Sequence, residues 1–233
     1  MPFVMYPGKG HGFANTLIQL CDFFTNHPEG LVHESIKDYE LGEWLTFNFP
    51  LTDRTDLPEY KPKIFINDYT IQAVHPLIRR LISPSEKLQK LIDSNMNMLD
   101  GIEFGMHIRR GAHARDSRVI VQSPDDVFAS DKAVEVFQSL SKGKTFFLAS
   151  DSPSTKKLFP GARTVDTTIA VVHDECPTVE TKDRRNIFLD FFLLSKCPRL
   201  FLTGGNFPQL PGLSTFGYMA AVYGGKPWQL IQN

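Results

Sequence analysis

From Gly101 to the C-terminus the chain switches repeatedly between short apolar runs and amphipathic stretches, and this alternation constrains the fold more than anything else in the sequence. Strands are predicted over 102–108, 145–149, 162–165, 200–203 and 227–231, and helices over 130–141, 154–158, 181–196 and 214–223. Such alternation builds a parallel sheet covered by helices on both faces. Ligands of these sheets bind outside the carboxyl ends of the strands. Polar residues gather at those ends: His107-Ile-Arg-Arg110, Ser150-Asp-Ser152 and Thr203-Gly-Gly-Asn206. One rim is therefore expected to collect the chemistry.

The N-terminal region is less regular. Phe3 to Tyr6 is a short apolar run, Pro7-Gly-Lys-Gly-His-Gly12 a loop, and Leu17, Leu20, Cys21 and Phe24 share one helical face, which reads as strand, turn and helix. His27-Pro-Glu-Gly30 stops that helix. A glycine-rich turn before a helix can bring backbone N–H groups close to an anion, or it can be a plain turn. Gly8, Gly10 and Gly12 are not spaced as a dinucleotide fingerprint, and no Gly-Lys-Ser/Thr of a P-loop follows. Residues 30–63 show no clean period and are expected to be irregular with short helices. A strand at 63–67, helices at 76–81 and 85–92, and a polar linker at 93–100 complete this part. The expected division is thus 1–100 and 101–233.

The formal net charge is -1 and the pI about 6.7, so no global basic field points to nucleic acid, and any anion site must be local. Three cysteines, Cys21, Cys176 and Cys197, are odd in number and contain no C-x-x-C pair, which argues against a disulfide framework or a zinc site. No segment approaches the roughly 18 apolar residues of a membrane span, and the first residues lack the pattern of a secretory signal. A soluble, cytoplasmic chain is the expectation.

Three features could carry chemistry. In Gly105-Met-His-Ile-Arg-Arg-Gly111 two guanidiniums stand where a strand runs into a glycine, suited to paired hydrogen bonds with phosphate oxygens or, alternatively, to surface salt bridges. Asp190 lies inside the apolar run 187–194, where an ionised carboxylate needs a donor, either a structural partner or the N–H groups of a ligand such as a guanine base. Ser214 begins a helix that Gly224-Gly225 ends, so Ser214 and its neighbours either cap that helix or welcome a diphosphate.

The order of these motifs resembles that of the fucosyltransferase superfamily, the group of α-1,6-fucosyltransferases, bacterial Nod-factor enzymes and protein O-fucosyltransferases. It is carried by Gly8-Lys-Gly-His-Gly-Phe-Ala-Asn15, His107-Ile-Arg-Arg-Gly111, Ser150-Asp151, Leu189-Asp-Phe-Phe-Leu-Leu-Ser-Lys-Cys197 and Ser214-Thr-Phe-Gly217. The resemblance implies an α/β fold of GT-B type: two Rossmann-like halves facing a cleft, the N-terminal half small and on the acceptor side, the C-terminal half holding the nucleotide sugar. It implies an inverting transfer of fucose from GDP-fucose to a glycan or glycosylated acceptor, with no metal and no cofactor beyond the donor. Carried over by motif position, Arg109 or Arg110 binds the diphosphate and stabilises departing GDP. His107 and Asp190 contact the guanosine, Ser214 and Thr215 hold phosphate oxygens, and Phe216, Gly10, Gly12 and Asn15 complete the substrate-binding set. The chain carries Ala112 where members commonly have an acidic residue. For the base that an inverting transfer uses, His11 in the glycine loop and Asp116 are the candidates. A same-fold transferase using another nucleotide sugar, and a non-catalytic GDP-sugar or glycan-binding protein, are the alternatives.

Overall fold

The computed structural model describes residues 2–6, 13–61, 77–110, 128–165, 184–205 and 212–232. The expected strand at 63–67 and the site candidates Gly10, His11, Gly12 and Asp116 lie outside the described residues. The chain divides into two compact units, the first running to Lys90 and the second beginning at Leu91.

The first unit opens with β1 (Val4–Met5) and α1 (Phe13–Asn26). Ala14, Leu17, Ile18, Leu20, Cys21, Phe23 and Phe24 are all buried, a wider apolar face than the four positions that announced the helix. Gly30 ends the turn that follows because a side chain there would meet the Phe23 ring at 2.3 Å. Then come β2 (Leu31–His33), a 3-10 helix (Glu34–Glu40), α2 (Leu41–Trp44), β3 (Leu45–Phe47), β4 (Leu51–Thr52) and β5 (Glu59–Tyr60). Residues 77–81 are helical (α3), β6 is Ile82–Pro84 and α4 is Glu86–Ser94. Strands β4-β2-β1-β5 form a parallel sheet in that order, and β3 pairs antiparallel with β6. The short helices expected over 30–63 are the 3-10 helix and α2, but the irregular remainder is corrected: the strands β2, β3, β4 and β5 lie in it. Each is two or three residues long, too short for a period of two to show. Residues 93–100, expected as a linker, hold the last residues of α4 and a 3-10 turn, Met96–Leu99.

The second unit follows the sequence pattern closely. It contains β7 (Phe104–Ile108), α5 (Asp131–Ser141), β8 (Phe146–Ser150), α6 (Pro153–Lys157), β9 (Ala162–Arg163), α7 (Arg184–Lys196), β10 (Leu200–Gly205), β11 (Gly212–Leu213), α8 (Thr215–Gly224) and β12 (Trp228–Ile231). Its parallel sheet runs β12-β10-β7-β8-β9, with β11 antiparallel on the end of β10. In chain order the five parallel strands read 5-4-1-2-3, the doubly wound arrangement, and the order reverses between β7 and β10.

Alternation along β7 sorts its two faces. Phe104, Met106 and Ile108 pack with Val134 and Phe137 of α5 in a core that also takes Phe146, Leu148 and Phe201. Gly105 and His107 face the other way, toward α7 and α8. A methyl group on Gly105 would stand 2.7–2.9 Å from Leu200, Cys197 and Leu194, so the missing side chain lets α7 close on the sheet. Gly217 of α8 lies against His107, and Gly224 against the Ser195 carbonyl of α7. The helix pair is set by contacts that only glycine permits.

Candidate functional site

At the switch between β7 and β10 the two strands diverge past their last paired residues, Leu202 and His107, and the chain after each carries polar groups. A ligand at this point meets the carboxyl ends of both strands together with whatever helix begins there. The helix is α8, and Ser214 stands at its N-cap. Ser214 makes no capping hydrogen bond, so its hydroxyl does not satisfy the first-turn amides. Its backbone N–H donates to the Thr203 carbonyl at 3.2 Å, which ties the start of α8 to the end of β10. The Ser214 hydroxyl is fully buried and has no hydrogen-bond partner among the described residues. Thr215 and Phe216, the next two residues, are half-buried.

His107 is the last residue of β7 paired with β10, and it is buried beneath α8 with its ring 5.1 Å from that of Phe216. Its Nδ1 has no hydrogen-bond partner among the described residues. Burial, and then the neighbouring charge of Arg109, pull its pKa down to about 3, so the imidazole is neutral throughout the physiological range. Two polar atoms thus sit buried and unmatched on adjoining elements. Such groups carry a free-energy penalty of about 1–3 kcal/mol each unless something satisfies them.

The two arginines part company. Arg109 is half-buried, its backbone N–H donates to Thr203 Oγ1 at 3.0 Å, and its guanidinium carbon lies 4.0 Å from the centre of the Phe128 ring. A cation over an aromatic face gains about 0.5–2 kcal/mol and is held in orientation. The Arg110 backbone N–H donates to Asp151 Oδ1 at 2.7 Å, and its guanidinium donates to the Ala129 carbonyl at 2.7 Å and pairs with Asp131 at the start of α5. Both guanidiniums thus meet the segment entering α5, Arg110 through hydrogen bonds and Arg109 through the Phe128 ring, while the backbone of Arg109 is tied to the switch point.

Asp190 is 4 % exposed in the middle of α7, directly before Phe191, whose ring packs edge-on against Phe216. His107, Arg109, Ser214, Thr215 and Phe216 are brought together by this unit, and Asp190 lies one residue from their aromatic support. Asn15 is half-buried on α1 in the first unit. Three residues were not singled out as site residues from the sequence: Thr203, Phe128 and Asp151. Asp151 falls in a polar motif that marks a strand end, and Thr203 is the hydroxyl that ends an apolar run. Phe128 gives no signal in the sequence, since its partner Arg109 is distant in the chain. Among the described residues no group of three or more His, Cys, Asp or Glu side chains could hold a metal ion. No helix among them is long and apolar enough to cross a membrane.

No protein-family model and no curated protein sequence matches the chain. Solved structures do. The NodZ α-1,6-fucosyltransferase co-crystallised with GDP is similar at 14% identity over 94% of this chain and 92% of that one, with a TM-score of 0.55. Fucosyltransferase NodZ from Bradyrhizobium gives the same identity and coverage with a TM-score of 0.54. A mutant of Arabidopsis thaliana FUT1 in complex with GDP is 13% identical over 98% of this chain and 70% of that one, with a TM-score of 0.59. At these identities the likeness is one of fold, and the fold of this chain is the Rossmann-like α/β fold of those fucosyltransferase structures.

Proposed function

We propose that the chain is a glycosyltransferase that moves fucose from GDP-fucose to a glycan or glycosylated acceptor, by inversion and without a metal ion. The observation that carries this reading is that Thr203, at the β7–β10 switch point, joins the backbone of Arg109 to the start of α8, which its own N-cap hydroxyl leaves uncapped. Two of the similar solved structures were obtained with GDP, which fits a nucleotide diphosphate at such a point.

Departure of GDP puts negative charge on its β-phosphate as the sugar leaves. Donors already fixed in place stabilise that charge without reorganising. In this reading Arg109 supplies a permanent cation to the diphosphate, and the α8 amides with Thr215 and Ser214 supply neutral donors and a favourable dipole. His107, being neutral, offers Nδ1 as a hydrogen-bonding atom without adding charge. Asp190 is the acceptor for guanine N–H groups. Arg110 acts on the protein itself, its backbone N–H holding Asp151 and its guanidinium the Ala129 carbonyl ahead of α5. The base that accepts the proton of the acceptor hydroxyl is not among these groups, and His11 and Asp116 lie outside the described residues.

A thermal-shift panel tests the donor. GDP and GDP-fucose should raise the melting temperature where UDP- and dTDP-sugars do not, since a ligand bound to the folded state alone stabilises it by mass action. A response to uridine or thymidine nucleotides instead would replace the donor with another sugar nucleotide. Binding of GDP-fucose with neither transfer nor slow hydrolysis would make the chain a binding protein.

A further inference from the structure

Thr203 stands where the end of β7, β10 and the start of α8 meet, and it is fully buried. In the ladder between β7 and β10, the Gly105 N–H donates to the Arg199 carbonyl at 2.9 Å. Parallel ladders advance two residues at a time on both strands, so the corresponding acceptor for the Arg109 N–H is the Thr203 carbonyl. The Arg109 N–H goes to the Thr203 hydroxyl instead, and the carbonyl accepts from Ser214 N–H. The hydroxyl in turn donates to the His107 carbonyl at 2.9 Å.

Past its last paired residue, β7 is thus replaced as the neighbour of β10 by β11 and the start of α8, which pair through Gly204–Leu213 and Gly205–Gly212. The side chain of Thr203 stands in for its own carbonyl. A hydroxyl is suited to this because it donates and accepts at once. An aliphatic side chain of the same shape does neither, and the Arg109 N–H would then be orphaned or drawn onto the carbonyl already used by Ser214.

We propose that Thr203 is the positioning residue of the donor site, its hydroxyl fixing Arg109 and its carbonyl fixing Ser214 so that guanidinium and helix N-terminus hold one diphosphate together. This rests on the function proposed above for the ligand but not for the coupling. Thr203 touches no substrate atom in this role; it acts through the two residues it joins.

The test uses the full chain and three variants, Thr203→Val, Thr203→Ser and Thr203→Ala. In calorimetric titration with GDP, Thr203→Val and Thr203→Ala should bind at least tenfold more weakly than the parent, while Thr203→Ser stays within about threefold. If Thr203→Val fails to fold, the Ser and Ala pair still separates hydroxyl from packing. Equal affinity of Thr203→Ser and Thr203→Ala overturns the proposal, as does parental affinity in Thr203→Val, whatever happens to the melting temperature. Amide hydrogen exchange without ligand supplies the second readout. The amides of Arg109 and Ser214 should both exchange faster in Thr203→Val and Thr203→Ala and stay protected in Thr203→Ser. Acceleration at one amide alone overturns the coupling. If the parent chain does not bind GDP, the donor assignment fails while the exchange result still decides the role of Thr203.

Discussion

At the residue scale, the site depends on groups whose charge state burial has already settled. His107 titrates near 6.5 in an unfolded chain and at about 3 in the folded one. The folded pKa is the lower, so the unfolded state binds a proton first as the pH falls. The stability that depends on neutral His107 is therefore complete above pH 6.5 and is lost progressively as the pH falls toward 3, at about 1.4 kcal/mol per pH unit once the unfolded side chain is protonated. Replacing His107 by Gln should flatten this acid limb in denaturant titrations between pH 4 and 7. An NMR titration of the parent showing the His107 ring protonating near pH 6 would contradict its neutrality. The arginines make a second contrast. Arg109→Ala should weaken GDP binding by about 10²-fold with little loss of stability, since it removes a preorganised charge at the ligand. Arg110→Ala should do the reverse, costing about 1–3 kcal/mol in a chemical denaturation curve by stripping the Ala129 carbonyl of its donor. The Asp131 side chain is 91% exposed, so losing that ion pair adds little. Arginine adjacency was plain in the sequence, yet the two tasks were not, because the partners that separate them, Phe128, Ala129 and Asp131, lie in another segment of the chain.

At the scale of elements, the second unit was legible because its long strands are mainly apolar runs of five or six residues between helices with their own period. Helix α7 is an example: its continuous burial from Phe188 to Ser195 was readable from composition alone. The first unit was not, since a two-residue strand such as β4 carries no period and owes its place to partners far away in sequence. The Thr203 bridge was hidden for the same reason. It spans 94 and 96 residues to its partners, and only the register of two strands brings them together. Glycine placement on α8 is testable at this scale. At Gly217 a methyl group would lie 2.8–2.9 Å from the His107 ring and its Cβ, whereas at Gly224 it would lie 2.1 Å from a backbone carbonyl of α7. A side chain can yield by some tenths of an ångström and a packed helix backbone cannot. Gly217→Ala should therefore cost about 1–3 kcal/mol by denaturant midpoint and weaken GDP binding, while Gly224→Ala should cost more and lower stability without a specific effect on the ligand. Equal stability losses at the two positions would mean that α8 shifts as a body.

At the scale of the whole molecule, two parallel-sheet units divide the chain, and the diphosphate site proposed above belongs to the second. In the first unit the sheet rim after β1 and β2 presents Tyr6 stacked on His33 at 4.6 Å, with His33 Nδ1 accepting from the Ser35 N–H. Near that rim the Arg54 guanidinium is engaged by Asp56; the proposed diphosphate site is the one in the second unit, at Arg109 and the start of α8. Hydrogen exchange of the full chain with and without saturating GDP reads this placement directly. At a hundred times its dissociation constant a ligand adds about 2.7 kcal/mol to every opening that releases it. Added protection should therefore concentrate in 104–110, 200–205 and 214–220 and be small across β1, β2, β4 and β5, unless unfolding of the two units is a single event. In that case the slowest amides of both units gain the same increment, and the local openings around Arg109 and Ser214 still identify the contact. Protection centred on the first unit would move the nucleotide to the other sheet and leave the buried, unmatched Ser214 hydroxyl without a ligand.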